Sequence, residues 1–281
     1  MKHLLSGGCF SLLIFISGCA NNDPAVNRQP GNIPGNSGQG TDSPLPLSSS
    51  QSNAFTYKSS KQYIYLSFDD GPQRGTKETI ALCRELGVKA SYFMIGVHVT
   101  GRNDGKKIIA AIKQSYPGFL LANHSYRHAS GRYDSFYHHS SLALKDFLRT
   151  QDTLGISDKI IRLPGNNAWL LKDTMRSSWL TRPLCRKLDS AGYIVIGWDT
   201  EWMFNHKNAR PLQSAENMAG HIKNLLDSNQ TFTRNHLVLL THDRIFQRPA
   251  DLDSLRKMIR ILQRNPGYIF ETVDHYPGQK R

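Results

Sequence analysis

Long apolar runs are nearly missing from this sequence. The one near the start, Phe10–Ile16, is too short for a membrane-spanning helix. Cysteine is scarce as well: of four, Cys9 and Cys19 fall at the amino terminus, which leaves Cys83 and Cys185. Neither belongs to a CxxC or Cys/His pattern, so a cysteine-built zinc centre has no basis here. Two buried free thiols are the expected state, with a disulfide left open because spacing does not decide it. Acidic side chains are also in deficit, 22 Asp and Glu against 35 Lys and Arg, for a net charge of +13. No repeat period and no second linker appear, so 57–281 reads as one domain with a sizeable core.

The amino terminus carries its own signals. Lys2, the apolar run and Ser17-Gly18 form an export leader over 1–18. Cys19 after Ile16-Ser17-Gly18 resembles the lipobox of bacterial lipoproteins, which implies cleavage before Cys19, lipidation of its thiol and attachment to a membrane. Residues 19–56 are rich in Asn, Pro, Gly, Ser and Gln and lack the apolar content that would offset ordering entropy, so they read as a flexible tether. The expected place is an exported, anchored position facing the periplasm or the cell surface. Asp23, Arg28 and Asp42 nearly balance within the tether, so the positive excess belongs to the folded body. Such a surface suits an anionic envelope polymer, or simply keeps the domain soluble. Nucleic acid is not expected, because no binding motif is present and export argues against it. A monomer is expected.

Short apolar runs alternate with helical patterns along the body. Strands are predicted at 63–68, 90–95, 119–122, 160–163, 193–196, 236–240 and 268–270. Helices are predicted at 77–86, 105–116, 142–154, 171–190, 215–226 and 252–263. This is the pattern of βα units around a parallel sheet; periodicity does not say whether the sheet closes. Function in such folds collects at the carboxyl ends of the strands. Those ends here carry Asp69-Asp70, Asn123-His124, Arg162 before Pro164-Gly165, Trp198-Asp199 and Thr241-His242-Asp243.

The residue types then assign roles. In "HSYRH", His124 and His128 are four apart, and one turn of helix would put both imidazoles on one face. Asp70 adds an anionic third ligand, and two His with one carboxylate leave a position open for water. Zinc fits that donor set best, with Co2+ or Ni2+ also able to occupy it. Bound there, the metal would lower the pKa of water from about 15.7 toward roughly 7, and Asp69 would take the proton. Arg162 would hold Asp69 ionised through a charge-assisted fork. His242 is the candidate acid, to be oriented by Asp199 or Glu201. Leu240, two residues before it on the same strand face, is placed to line an apolar pocket or to pack in the core.

"SFDDGP", "HSYRH", "RLPG", "WDTEW" and "LLTHD", in this order, resemble the motifs of the polysaccharide deacetylases, the family 4 carbohydrate esterases. The resemblance spans about 62–275 and implies a distorted (β/α) barrel that removes N-acetyl groups from GlcNAc units of a polysaccharide such as peptidoglycan or chitin. It implies Asp69 as base, His242 as acid, Asp70, His124 and His128 as metal ligands, Arg162 as support of the base, and Leu240 as the wall for the acetyl methyl. Two motifs depart from the family pattern. Gly165 stands where an aromatic usually follows the proline; its N–H would still serve the oxyanion, but a groove wall is lost unless Asn166, Asn167 or Trp169 rebuilds it. Glu201, not Asp, precedes Trp202, and Asp199 lies two residues earlier, so which carboxylate tunes His242 stays open. Trp198 and Trp202 are candidate sugar platforms, one of them expected in the core.

Overall fold

A computed structural model describes residues 55–279. They fall within a single compact unit, Asn53–Arg281. The leader, Cys19 and nearly all of the tether lie outside the described residues. The chain opens with β1 (Gln62–Gly71), α1 (Thr76–Glu85), β2 (Ala90–Met94), α2 (Gly96–Thr100), α3 (Gly105–Lys113) and β3 (Phe119–Asn123). It continues through α4 (Tyr133–His138), α5 (Ser140–Leu154), β4 (Ile160–Ile161), β5 (Trp169–Leu171), β6 (Thr174–Arg176), α6 (Arg182–Ser190) and β7 (Ile194–Val195). The last part holds β8 (Thr200–Glu201), β9 (Phe204–Asn205), β10 (Arg210–Pro211), α7 (Ala215–Asp227), β11 (His236–His242), α8 (Pro249–Gln263) and β12 (Tyr268–Phe270).

Among the described residues, ten strands form the main sheet, in the order β6-β5-β7-β4-β3-β2-β1-β11-β8 with β12 beside β1. From β7 to β8 the pairing is parallel, as the βα alternation predicts. The path ends at β6 and β8, which do not pair, so the curled sheet is an open half-barrel. The structure departs from the predicted 171–190 helix. There, β5 and β6 make an antiparallel hairpin and only Arg182–Ser190 is helical, started by a proline in the first turn. Leu170 and Leu171 are buried while Thr174–Arg176 are exposed, so their burial follows sheet contacts and not a helical stripe.

Alternation along β1 and β11 sorts the core into two layers. Ile64, Leu66, Phe68, Leu237 and Leu239 pack outward under the helices with Ile80, Met218 and Leu255. Tyr63, Tyr65 and Val238 face the concave side with Phe93, Leu120 and Trp169. A fully buried side chain of this size contributes roughly 1.5–3 kcal/mol, so both layers matter to stability. Asp69, in step with Tyr63 and Tyr65, and His242, in step with Val238, fall on this second side, and that is what positions the site. Cys83 and Cys185 are buried and free. Among the described residues no helix is long and apolar enough to cross a membrane.

Candidate active site and metal centre

β1 does not stop at Phe68 but runs on through both aspartates. Strict alternation would send Asp69 and Asp70 to opposite faces. A register shift against β2 between Asp69 and Gly71, with Asp70 at φ 74°, forms a bulge that re-aims Asp70. Aspartate tolerates that left-handed conformation better than most side chains. The bulge is pinned by His98, whose Nδ1 lies 2.8 Å from the Asp70 carbonyl oxygen and donates to it. Both carboxylates therefore reach one rim.

His124 and His128 do not share a helical turn. Ser125 at φ 66° and His128 at φ 49° turn the backbone sharply, and the rings come to 5.0 Å between centroids. The loop is held from α5: Asp146 Oδ1 accepts from the N–H groups of Tyr126 at 2.6 Å and Arg127 at 3.1 Å. Ser125 Oγ accepts from His128 N at 3.0 Å. His124 Nδ1 donates to the Arg162 carbonyl at 3.0 Å, which leaves Nε2 as a lone pair toward the cluster. His128 Nε2 lies 3.2 Å from Asp70 Oδ1, and His124 Nε2 lies 3.5 Å from it.

Ligand atoms of Asp70, His124 and His128 all lie within 4.8 Å of one another. Asp70 Oδ1 is buried without a hydrogen-bond partner, an arrangement that is costly unless a cation receives it. Burial works to raise the Asp70 pKa, but the His124, His242 and His128 imidazoles around it outweigh that and leave the carboxyl well below the usual range. Burial and the neighbouring His124 push His128 down to about 4, so its imidazole is neutral at pH 7. An ionised carboxylate, a neutral His128, a second imidazole turned to the same point and an orphaned oxygen fit a divalent cation.

Asp69 is 2 % exposed and Arg162 fully buried. Arg162 Nη1 donates to Asp69 Oδ1 at 2.8 Å and to Ser67 Oγ at 2.8 Å. Its Nε and Nη2 donate to the Ile196 and Gly197 carbonyls, both at 3.1 Å, and its plane lies 4.1 Å from the Phe93 ring centroid. A buried cation is tolerable only when its donors are used in this way. Asp69 Oδ2 also lies 3.5 Å from His124 Nε2, so the base and the ligand set are one cluster.

Asp69 pairs with His242 across the β1–β11 ladder, which brings the candidate base and acid to neighbouring strands. Nε2 of His242 lies 3.9 Å from Asp70 Oδ2, and its ring packs 5.0 Å from that of Phe204. Leu240 is buried on the same strand face and pairs with Ser67.

Neither carboxylate expected to orient His242 does so. Its Nδ1 has no hydrogen-bond partner among the described residues. Asp199 instead accepts from Phe232 N at 2.5 Å and Val238 N at 2.7 Å, clamping the approach to β11. Burial pushes its carboxyl up to about 6 despite those two donors. The charge of Glu201 acts on Arg162, where it opposes the effect of burial. Trp202 is no sugar platform: it is fully buried and donates through Nε1 to the Gln213 carbonyl at 3.0 Å. Trp198 is half-buried, and its backbone is tied to Asn167 at 2.8 and 3.1 Å. Gly165 has φ 62°, and a Cβ there would come within 2.9 Å of the Tyr133 ring. Trp169 does not rebuild the wall, being buried and stacked on Phe232 at 4.2 Å.

Two residues in the site were given no role from sequence. Asp243, beside His242, is fully buried; it accepts from Gln73 Nε2 at 2.7 Å and from Thr76 Oγ1. Burial pushes its carboxyl up to about 7. The adjacency "HD" was a usable signal for it. Asp146, the clamp on the ligand loop, had none.

The open α/β half-barrel thus brings an Asp-His-His cluster that could hold a metal ion beside a buried Asp–Arg pair and a facing histidine, the side chains a hydrolytic site needs. Residues 56–162 match the family model described as polysaccharide deacetylase. The chain is 23% identical to chitin disaccharide deacetylase of Vibrio alginolyticus, over 79% of this chain and 73% of that one. It is 24% identical to peptidoglycan-N-acetylglucosamine deacetylase of Bacillus cereus, over 77% of this chain and 72% of that one. Among solved structures, it superposes on the catalytic domain of peptidoglycan N-acetylglucosamine deacetylase from Eubacterium rectale. The TM-score is 0.56 at 21% identity, covering 82% of this chain and 97% of that one. It also matches a family 4 carbohydrate esterase from Streptomyces lividans in complex with acetate, with TM-score 0.55 at 21% identity and coverage of 78% and 97%. The family model, the curated relatives and the fold neighbours all support the polysaccharide deacetylase family.

Proposed function

We propose that the chain is a metal-dependent hydrolase that removes N-acetyl groups from GlcNAc units of a cell-envelope glycan, with peptidoglycan as its main substrate. The observation that carries this reading is the placement of Asp69: gripped by Arg162, it lies beside the Asp70, His124 and His128 cluster and opposite His242. The net charge of +13 favours an anionic wall polymer, and a peptidoglycan deacetylase is among the relatives. Chitooligosaccharide, suggested by the Vibrio relative, and poly-N-acetylglucosamine are the alternative substrates.

Asp70, His124 and His128 would hold the cation, for which zinc is the proposal and Co2+ or Ni2+ are substitutes. When bound, it supplies positive charge that acidifies water and polarises a carbonyl. Asp69, held in place by the Arg162 guanidinium, takes the proton from water as its oxygen attacks the acetyl carbon. The Gly165 N–H is the proposed donor to the developing oxyanion. His242 gives a proton to the sugar nitrogen as the C–N bond breaks, releasing acetate and a free amine. Leu240 and the half-buried Trp198 are assigned to the acetyl methyl and to a neighbouring sugar. Export, lipidation of Cys19, membrane attachment and a monomeric state belong to the same proposal.

The test is acetate release by purified 55–281 with zinc from peptidoglycan, GlcNAc oligomers and poly-N-acetylglucosamine. Wild type should release acetate, most from peptidoglycan. Asp69→Asn should lower the rate by about 10²–10⁴-fold while retaining metal, and His124→Ala should lose the metal. Binding of these glycans without release from any would instead make the chain a glycan-binding module.

A further inference from the structure

The residues after His128 form an unusual segment. His128, Ala129, Ser130 and Gly131 all have left-handed φ values, at 49, 54, 51 and 72°. Such a conformation costs roughly 1–2 kcal/mol for each non-glycine residue, so a run of three persists only where its surroundings impose it. Its effect is to fold the chain back, so that α4 begins with Tyr133 lying over His128.

Tyr133 meets the site in three ways. Its ring stands edge-on to His128, 5.7 Å between centroids at 84°. Its hydroxyl lies 3.4 Å from His128 Nδ1, the nitrogen turned away from Asp70. Its face fills the space above Gly165, where a Cβ would approach Cε1 to 2.9 Å. Glycine at 165 is thus explained by what sits on it. Tyr137, one turn further along α4 and fully buried, donates its hydroxyl to the Pro164 carbonyl at 2.5 Å and fixes α4 against the same loop. Tyr133 remains half-buried, with part of its surface open to solvent.

We propose that Tyr133 is the positioning residue for His128 and one wall of the substrate groove, with Gly165 as its seat. When His128 Nε2 offers its lone pair as a ligand atom, Nδ1 carries the proton and donates to Tyr133 Oη, 3.4 Å away. That bond fixes the tautomer and ring angle of a candidate ligand, a kind of contact whose loss typically weakens metal binding 10–100-fold. The ring supplies the aromatic surface that the residue after Pro164 lacks. The second half of the proposal rests on the glycan deacetylase reading, and the first does not.

Zinc affinity, measured by competition with a chromophoric chelator and without substrate, tests the first half. Tyr133→Phe should bind zinc about tenfold more weakly than wild type. Gly165→Ala should show a similar loss, because its Cβ displaces the ring. Tyr133→Ala/Gly165→Ala should bind zinc no more weakly than Tyr133→Ala alone, since the two act through one contact. At saturating zinc, Tyr133→Phe should keep wild-type KM for the glycan, and Tyr133→Ala should raise it about fivefold. Wild-type zinc affinity in Tyr133→Phe, or additive losses in the double variant, would overturn the positioning role; a lower Tm with unchanged zinc affinity would do the same. If zinc affinity falls as expected while wild type releases no acetate, the deacetylase reading fails and the positioning role stands.

Discussion

Asp69 is gripped by a guanidinium whose three nitrogens are all hydrogen-bonded, whereas His242, its partner across the ladder, has an Nδ1 with no hydrogen-bond partner among the described residues. The two sides of one site are built differently. On the ligand-and-base side a buried charge, two imidazoles and two carboxylates lie within a few contacts of one another, and each is tied to backbone or to its neighbour. On the acid side, His242 is placed by strand register, by the Phe204 ring and by Asp243, which joins its strand end to Gln73 and Thr76. The family match follows the same division: it ends at Arg162, before Gly165, Glu201 and His242. Buried charges tolerate little misplacement, because each unpaired one is costly. A proton donor at the cleft edge needs only reach.

Breaking the tightly held side should have the largest effect. Arg162→Leu leaves Asp69 buried without its cation and should cost about 3–5 kcal/mol of stability by urea denaturation. Its acetate release should fall with it, even where the variant is folded. A variant within 1 kcal/mol of wild type would mean that the pair is not what organises this side.

Asp243 probes the other side, through pH. Its folded pKa, about 7, is raised above the ordinary value of 3.8. Between those values the folded chain keeps a proton that the unfolded chain has released, so stability falls as pH rises through this window and the penalty is complete above about 7. The shift corresponds to about 4 kcal/mol at most. Asp243→Asn removes the titration while an amide oxygen still accepts from Gln73. In chelator it should match wild type near pH 4 and be more stable by a few kcal/mol at pH 8. Parallel stability curves for the two proteins would sink this account.

Legibility in the sequence followed the same division. The βα alternation predicted a parallel sheet, and strand-end polarity predicted that Asp69, Asp70, His124, Arg162 and His242 converge, because both depend on local periodicity; it did not predict that Asp199 turns to Phe232 N and Val238 N instead. The bulge at Asp70 was not readable: alternation alone sends neighbouring aspartates apart, and only the φ of 74° brings them to one rim. His128 was expected on a helical turn but reaches the cluster through a left-handed loop, whose clamp, Asp146, comes from α5. The 171–190 segment failed because a short buried hairpin and a helix present similar apolar spacing. Trp202 was ambiguous because an aromatic at a strand end serves a core as well as a groove; its buried Nε1 on Gln213 settles which.

The smallest expected effect sharpens the contrast most. If a carboxylate oriented His242, it would also stabilise the imidazolium, and neutralising it would lower the pKa that sets the alkaline limb of the kcat–pH profile. Asp199 spends both oxygens on Phe232 N and Val238 N, and Glu201 acts on Arg162. Asp199→Asn and Glu201→Gln should therefore leave that limb within about half a pH unit of wild type. Asp199→Asn should instead lower stability, because Phe232 N or Val238 N then faces an amide N–H in place of an acceptor. A drop of a full unit or more in the alkaline limb of either variant would show that a carboxylate does reach His242 during turnover. The acid side would then be as tightly organised as the base side once substrate is bound.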